Sequence, residues 1–269
     1  MAITIQSDQC TRCGICSKVC PMGILTPVDA QNLPGLLPGF ESYCISCGQC
    51  EAFCNPGAIV VKPGHQIQKA WDGTGITPSG LSLYLKSRRS IRQFKSDPVS
   101  RETILDILDV CRYAASGANG QPVEWLVIHN PQEVRCVADL TIEWMRSLVN
   151  SDHPMSLLVS GLLEGWDAGA DVICRGAPNL LIAHIEENNQ MAYIDGIIAM
   201  THFDIAAPVF GVGTCWAGFV AMASKSYDPI KKLFDLPEGR IPLYALMVGY
   251  PLYKPSNIPE RKKLPVTWH

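Results

Sequence analysis

Eight closely spaced cysteines near the start of the chain constrain its fold more than any other feature. They form two runs with the same spacing, Cys-x2-Cys-x2-Cys-x3-Cys, over residues 10–20 and 44–54. Three thiolates separated by two residues each can bind one iron–sulfur cube, and the fourth is carried by the chain to a second cube. The spacing therefore predicts two [4Fe-4S] clusters.

Zinc sites and disulfides are the other uses of closely spaced cysteines. A zinc site needs two Cys-x2-Cys pairs and has no use for a third and fourth cysteine at this spacing. Disulfides need an oxidising compartment, whereas residues 1–8 have neither a basic start nor an apolar run of signal length. The cluster interpretation is favoured over both, and we expect a cytoplasmic protein, because a reducing compartment fits all twelve cysteines.

The two runs resemble those of the bacterial two-cluster ferredoxins. In that family the last cysteine of each run binds the other cluster. The resemblance implies one cluster bound by Cys10, Cys13, Cys16 and Cys54 (the first cysteine set) and another bound by Cys44, Cys47, Cys50 and Cys20 (the second cysteine set). Asn55 departs from the family pattern because it separates Cys54 from Pro56, which leaves the local turn open but not the number of ligands.

Length and sequence pattern indicate a small domain followed by a larger one. The 269 residues suggest about two domains. We expect a ferredoxin-like domain over residues 1–65, stabilised by its clusters because it is too short to bury a large core. A Gly- and Pro-rich linker over 66–80 and a second domain over 81–269 follow.

Periodicity predicts the main elements of the second domain. Helices are expected from residues 81, 100 and 131, over 192–210, and as an inserted helix or lid within 150–169; strands are expected at 125–128, 179–184 and 243–248, with a Gly-rich turn at 211–219. The net charge of −3 gives no sign of a nucleic-acid or membrane-surface partner. The apolar stretches also fall short of the ~20 residues that a membrane span requires.

Three stretches of the second domain could bind a cofactor, although each is weak alone. Arg88, Arg89, Ser90 and Arg92 could bind a phosphate through forked, charge-assisted hydrogen bonds, or could form a solvated basic surface. Residues 116–122 have small and amide side chains that let the backbone approach a flat ligand, or simply end a helix. Residues 213–218 form a Gly-rich element, followed much later by Arg261 and Lys263.

Taken together and in this order, these stretches resemble the nitroreductase family of flavin enzymes. Members of that family carry an Arg-Arg-Ser-x-Arg-x-Phe element, a Ser-x-x-Asn-x-Gln-Pro element, a Gly-x-Gly-Thr-x-Trp turn and a basic pair before Leu-Pro. The corresponding residues are 88–94, 116–122, 211–216 and 261–265. The resemblance implies an α+β fold, in which the ferredoxin-like domain precedes a nitroreductase-like three-layer domain with a mixed sheet flanked by helices.

The same resemblance implies FMN bound at a homodimer interface. The phosphate would be bound by Arg88, Ser90, Arg261 and Lys263, with Arg89 in the same element, and Arg92 would lie near the flavin N1/O2 edge. The partner subunit would contribute Ala115, Ser116, Gly117, Asn119 and Gln121. The flavin N5 side would be lined by Cys215, Trp216, Ala217 and Gly218, with backbone N–H groups as donors. Some members have a glutamate where Ala217 stands here, so any role of that carboxylate is absent.

Together, the two resemblances imply an iron–sulfur flavoprotein oxidoreductase. The clusters would relay electrons to FMN for the reduction of a nitro compound, a quinone or an activated alkene, and the donor would be a ferredoxin or NAD(P)H. No catalytic acid or base can be identified, and no Gly-x-Gly-x-x-Gly dinucleotide fingerprint is present. An electron carrier between protein partners is the alternative, and a specialised chemistry such as reductive dehalogenation shares every motif.

Overall fold

The computed structural model describes residues 3–29, 32–61, 70–149 and 151–269, and its contacts divide the chain into two units. The first unit consists of residues 1–76 with 118–120, and the second of residues 77–117 with 121–269. Residues 66–69 of the predicted linker and Asn150 of the predicted insertion lie outside the described residues. Within the described residues, no helix is both long and apolar enough to cross a membrane.

The first unit is built from short elements around the cysteine runs. Strand β1 (Thr4–Ile5) pairs antiparallel with β2 (Ile59–Val60). Helices α1 (Ile15–Val19) and α2 (Gln49–Ala52) each begin inside a cysteine run. A 3-10 turn at Glu41–Tyr43 separates them. Leu25, Cys50, Ile59 and Val61 form one small buried cluster, and Cys16, Cys20 and Cys54 pack against it, as expected for a domain of this size.

Four helices of the second unit, those that begin at residues 78, 101, 131 and 190, have a side-chain cap. The Thr77 hydroxyl accepts the Gly80 N–H, the Ser100 hydroxyl accepts the Thr103 N–H, and Asn130 accepts the Gln132 N–H. The helices are α3 (Pro78–Ser87), α4 (Arg101–Cys111), α5 (Pro131–Ser147), α6 (Ser156–Asp167), α7 (Gln190–Ala206), α8 (Gly218–Ser226) and α9 (Asp228–Phe234). Helix α6 confirms the helix expected within 150–169.

A four-stranded sheet lies between two helical layers. Its strands are β3 (Glu124–Ile128), β4 (Asn179–Glu186), β5 (Gly213–Trp216) and β6 (Arg240–Gly249), in the order β3-β4-β6-β5. One core cluster joins the sheet to α5, α6, α8 and α9, and the other joins it to α4 and α7. Successive residues of β4 point to opposite layers, since Leu180 belongs to the first cluster and Leu181 to the second. The expected three-layer arrangement is confirmed.

Three details of the fold differ from the sequence prediction. All pairings among the described strands are antiparallel, where a mixed sheet was expected. Two consecutive helices connect β3 to β4 (α5 and α6) and β5 to β6 (α8 and α9), and the second strand of each pair runs antiparallel to the first. The expected Gly-rich turn at 211–219 contains the strand β5. Helix α3 begins three residues before Leu81, because Thr77 caps it and proline is well tolerated at the first position.

Gly213 of β5 allows the chain around Ile91 to approach the sheet closely. A Cβ at Gly213 would lie 2.6 Å from Ile91 Cγ1 and 3.0 Å from Pro251 Cγ. We expect Gly213→Ala to lower the free energy of unfolding by about 1–3 kcal/mol, because both neighbours must move. Urea denaturation measures the change. Gly161→Ala in α6 is the control, since no heavy atom lies within 4 Å of its added Cβ. Equal stability of the two variants would contradict this packing argument.

Candidate functional site

The first cysteine set surrounds one cavity. Cys10, Cys13, Cys16 and Cys54 all line it, beside the β1–β2 pair. Burial raises the pKa of the Cys16 thiol, and the nearby Cys13 and Cys54 thiols add to this increase. The Ala58 N–H donates to Cys54 Sγ at 3.2 Å, the kind of hydrogen bond that tunes a cluster's potential. The structure therefore brings a cysteine of the second run to three cysteines of the first.

The second cysteine set surrounds another cavity. Cys20, Cys44, Cys47 and Cys50 line it, together with Met22 and Ile24 among other residues. Burial raises the pKa of the Cys50 thiol to about 11, and the Cys20, Cys47 and Cys44 thiols contribute to the increase. In the described part of the chain no group of three or more His, Cys, Asp or Glu side chains converges on a single-metal position. Each set instead lines a cavity, which is the arrangement that a four-iron cube needs.

The backbone takes the same path through both runs. Arg12 and Ser46, each just before a second cysteine, have φ values of 54° and 52°, and Gly14 and Gly48, just after it, have φ values of 71° and 70°. Left-handed residues in such turns direct successive N–H groups to one side, forming the concave anion sites found around iron–sulfur clusters. The repeat in sequence is therefore a repeat in three-dimensional structure.

Asn55 does not disrupt the turn after the second run. The Gly57 N–H donates to the Cys54 carbonyl at 2.8 Å, just as the Gly23 N–H donates to the Cys20 carbonyl at 3.1 Å. Both glycines have a positive φ, 70° for Gly57 and 62° for Gly23. Asn55 only moves the proline from the second to the third position of a four-residue turn.

The arginine-rich segment after α3 lies along the sheet. The Ile91 N–H donates to the Thr214 carbonyl of β5 at 2.9 Å, and the Lys95 N–H donates to the Tyr250 carbonyl at 2.8 Å. Phe94 forms an isolated antiparallel bridge with Pro251. These bonds place the predicted phosphate-binding element beside the predicted flavin N5 strand.

The buried carboxylate of Asp204 connects these two elements. It lies on α7 with 6% of its surface exposed. It accepts the Thr214 hydroxyl and the Trp216 indole N–H, the latter at 3.3 Å, and it forms an ion pair with Arg88 Nη1 at 3.4 Å. One side chain therefore orients both the Arg88 guanidinium and the Trp216 ring. Trp216 also packs edge-to-face on Tyr244, with ring centroids 5.1 Å apart.

Arg89 has a buried donor that lacks a partner. Its Nη1 donates to the Lys86 and Arg88 carbonyls at 2.8 and 2.7 Å. Its Nη2 is buried and bonds to no described residue. An unsatisfied buried donor is costly, and a bound phosphate is a group that could satisfy it. This segment therefore fits the phosphate of a flavin nucleotide.

The N5-side residues line a cavity of about 210 Å³ next to this segment. Arg92, Cys215, Trp216 and Gly218 all contribute to its wall. One of the expected N–H donors is not available, because the Ala217 N–H donates to the Ala245 carbonyl at 2.9 Å within the sheet. Gly218 is the first residue of α8, where helical N–H groups have no partner within the helix.

The loop at residues 115–121 lines a different cavity of the second unit. Ala115, Ser116 and Gln121 face this cavity, whose volume is about 130 Å³, and none of the residues of the Trp216 cavity contributes to it. The Gly117 N–H donates to Asp195 Oδ1 at 3.1 Å. Three residues of the loop, Ala118, Asn119 and Gln121, have positive φ values of 49°, 56° and 45°. Such strained backbone is typical of functional sites.

Asn119 has other hydrogen-bond partners, and within the part of the chain that the structure describes Arg261 and Lys263 are not joined to the Arg88–Arg92 segment. Asn119 belongs to the first unit by its contacts, and its side-chain amide donates to the Ile45 and Ser46 carbonyls at 3.2 and 3.1 Å. Arg261 and Lys263 lie on an exposed tail without helix or strand. Among the described residues, no hydrogen bond or ion pair connects that tail to the Arg88–Arg92 segment.

His184 is a buried histidine with a hydrogen-bond partner in the core. It is 5% exposed, and its Nδ1 accepts the Arg240 Nε–H at 3.2 Å. Burial, followed by the positive charge of Arg240, lowers the pKa of His184. The ring is therefore neutral near pH 7, and the more distant Glu124 carboxylate, 4.0 Å from Nδ1, is not its main partner.

Family models match both parts of the chain. A model of the 4Fe-4S dicluster domain matches residues 9–59, and the model of the Nitroreductase family matches residues 85–250. The chain belongs to the nitroreductase family. These matches confirm the resemblance seen in the sequence, the α+β fold class and the expected enzyme class, a flavin-dependent oxidoreductase.

The chain is also similar, at low sequence identity, to curated proteins. A putative NADH dehydrogenase/NAD(P)H nitroreductase of Methanothermobacter thermautotrophicus is 26% identical over 173 residues, or 64% of this chain and 78% of that protein. A Cr(VI) reductase of a Pseudomonas species is 24% identical over 177 residues, or 62% of this chain and 65% of that protein.

Solved structures of the family share the fold. A nitroreductase with bound FMN from Desulfitobacterium hafniense has a TM-score of 0.57 at 20% identity, covering 70% of this chain and 97% of that one. A nitroreductase with bound FMN from Bacteroides fragilis has a TM-score of 0.55 at 18% identity, covering 70% of this chain and 98% of that one.

Two polar residues of the site were not recognised from the sequence. Asp204 belongs to no motif in the sequence, although a carboxylate beside Phe203 on a mostly apolar helix is a signal of a buried partner. Arg175, which lines the Trp216 cavity, has no motif around it in the sequence. Only its position in the structure reveals it.

Proposed function

We propose that this nitroreductase-family protein relays electrons from two [4Fe-4S] clusters to FMN and thereby reduces a nitro compound, a quinone or an activated alkene. The observation that carries the proposal is that each of two crossed sets of four cysteines surrounds its own cavity, on the same chain as a nitroreductase domain. The clusters supply single electrons, and FMN supplies two-electron reduction when bound.

The chain's own residues would bind and orient the flavin. Arg88, Arg89 and Ser90 would hold the phosphate, together with Arg261 and Lys263 of the exposed tail, and the unpartnered Nη2 of Arg89 supports this assignment. Arg92 would stabilise negative charge at the N1/O2 edge. Trp216, fixed by Asp204, and the Gly218 N–H at the start of α8 would lie on the N5 side.

We propose a homodimer in which the partner subunit completes the flavin site. In one chain, Ser116 and Gln121 line a cavity distinct from that of Arg92 and Trp216. A second copy could therefore bring the two sets together around one flavin. The donor would be a ferredoxin, which would pass single electrons to one of the clusters, or NAD(P)H, which would pass a hydride to FMN.

Flavin and iron contents of an Arg89→Gln variant test the flavin assignment. We expect the dissociation constant for FMN to rise roughly 10- to 100-fold, the effect of one lost charge-assisted hydrogen bond, with unchanged iron. Arg101→Gln, an exposed arginine at the start of α4, is the matched control and should keep both cofactors. Full retention of FMN by Arg89→Gln would contradict the phosphate assignment.

An electron carrier between protein partners is the second candidate. It shares both cofactor constellations, but it does not need an open space beside the flavin. The cavity beside Trp216 extends beyond the residues assigned to the flavin, to Val172, Ile173 and Met247. This favours the enzyme, because a small molecule could approach the flavin there. A purified protein whose reduced flavin is oxidised by a protein acceptor, but by no nitroarene, quinone or enone, would favour the carrier.

A further inference from the structure

The cavity beside Trp216 combines an apolar wall with two positive charges. Arg92 and Arg175 line it together with Trp216 and Cys215; its other lining residues are Val172, Ile173, Gly218, Phe219, Met222 and Met247. No hydrogen bond or ion pair joins either guanidinium to another residue in the described ranges of the chain. A small, mostly apolar cavity with two unpaired cations is complementary to an anion.

The loop that carries Arg175 is held in a fixed conformation. The Asp171 carboxylate accepts the N–H groups of Ile173, Cys174 and Gly176 at 3.1, 2.8 and 2.9 Å. Ile173 and Cys174 are almost fully buried, with 1% and 0% of their surfaces exposed. These contacts fix the loop on both sides of its turn, so the backbone position of Arg175 is well defined.

The backbone of Arg175 is unfavourable for an arginine. Its φ is 57°, in the left-handed region, and Gly176 follows with a φ of 69°. Glycine would adopt this conformation more readily than any side-chain-bearing residue. Arginine at this position is therefore not required by the turn, and its guanidinium is the feature that distinguishes the site.

The two charges have different positions relative to the proposed flavin. Arg92 would face the N1/O2 edge, where the reduced flavin carries negative charge, so the flavin accounts for one guanidinium. Arg175 comes from the loop before β4, on another part of the cavity wall. Arg175 is therefore available to bind a molecule that enters the cavity beside the flavin.

We propose that Arg175 is a specificity-determining residue that binds the anionic group of the electron acceptor, so that the preferred acceptors are aromatic or unsaturated carboxylates. The inference rests on the proposed function, because it assumes that the flavin lies beside Trp216. A planar guanidinium binds a carboxylate through two parallel hydrogen bonds. The apolar wall of Phe219, Met222 and Met247 would contact the unsaturated part of the same molecule.

The test compares two acceptors of the same shape that differ in charge, 4-nitrobenzoate and 4-nitrobenzamide. Binding to the oxidised holoprotein is followed by calorimetry and by the change in flavin absorbance, which requires no turnover. We expect the wild-type protein to prefer the carboxylate. In Arg175→Gln, the dissociation constant of the carboxylate should rise roughly 10- to 100-fold relative to that of the amide. Arg175→Gly, which the backbone favours, should show the same shift, and Arg101→Gln is the control.

Each outcome bears on the proposal. The expected shift with unchanged flavin content supports it, and the same shift in the ratio of kcat/KM values would extend it to catalysis. An unchanged ratio in both Arg175 variants overturns it. Loss of FMN from both variants also overturns it, because Arg175 would then bind the flavin phosphate. Charge-selective binding without reduction of any nitroarene, quinone or enone would refute the proposed enzyme but leave the anion site standing.

Discussion

Replacing Cys54 with alanine is expected to lower the iron content from about eight atoms per chain to about four, because it removes one ligand of the first cysteine set. Cys54 lines the same cavity as Cys10, Cys13 and Cys16 although it lies in the other run of the sequence. Iron content is measured by colorimetric assay, and the remaining cluster is identified by electron paramagnetic resonance after reduction. Cys136→Ala, an exposed cysteine of α5, is the control.

Double variants distinguish the crossed arrangement from one cluster per run. If the sets are crossed, Cys10→Ala combined with Cys54→Ala loses no more iron than either change alone, because both act on one cluster. Cys44→Ala combined with Cys54→Ala then loses both clusters. The reverse result, in which the pair Cys44 and Cys54 affects a single cluster, would contradict the crossed sets.

Removing the charge of Asp204 is expected to weaken both the fold and flavin binding. Asp204→Asn cannot hold Arg88 as an ion pair, and Arg88 is only 29% exposed, so its charge loses a compensating partner. We expect the free energy of unfolding to fall by about 2 kcal/mol. We also expect the dissociation constant for FMN to rise roughly 10-fold, because Arg88 and Trp216 lose their common anchor.

An exposed ion pair provides the control for this prediction. Asp139 pairs with Arg135 one turn away on α5, and both side chains are about half exposed, at 48% and 52%. Asp139→Asn should change stability by less than about 0.5 kcal/mol and leave flavin binding unchanged. Thermal unfolding and flavin titration measure both effects. Equal behaviour of the Asp204 and Asp139 variants would show that Asp204 does not anchor the site.

The cysteine spacing predicted much of the first unit because the ligands, the turns and the helices all depend on local sequence. Gly14 and Gly48 follow the second cysteine of each run and adopt the same backbone conformation. The caps Ser100 and Asn130 predicted the start of α4 and α5 for the same reason, since a cap needs only its own helix.

Features that depend on distant packing were not predictable in this way. Gly213 indicated a turn in the sequence, but in the structure it lies in β5, where the absence of a side chain allows Ile91 to pack against the strand. Asp204 contacts Arg88, which is more than a hundred residues away in sequence. Arg175 reaches the Trp216 cavity only because the Asp171 loop folds beside β5. Such contacts join residues that are far apart in the sequence, and no local motif or periodicity relates them.

An anaerobic single-turnover experiment tests the central claim, the relay of electrons from the clusters through FMN to a small molecule. The holoprotein is fully reduced with dithionite, freed of excess reductant and mixed with 4-nitrobenzoate or a quinone, while flavin and cluster absorbance are followed together. A relay predicts that both signals return to the oxidised state and that about four electrons per chain reach the acceptor, two from FMN and one from each cluster. Oxidation of the flavin alone, with about two electrons delivered and the clusters still reduced, would contradict the account.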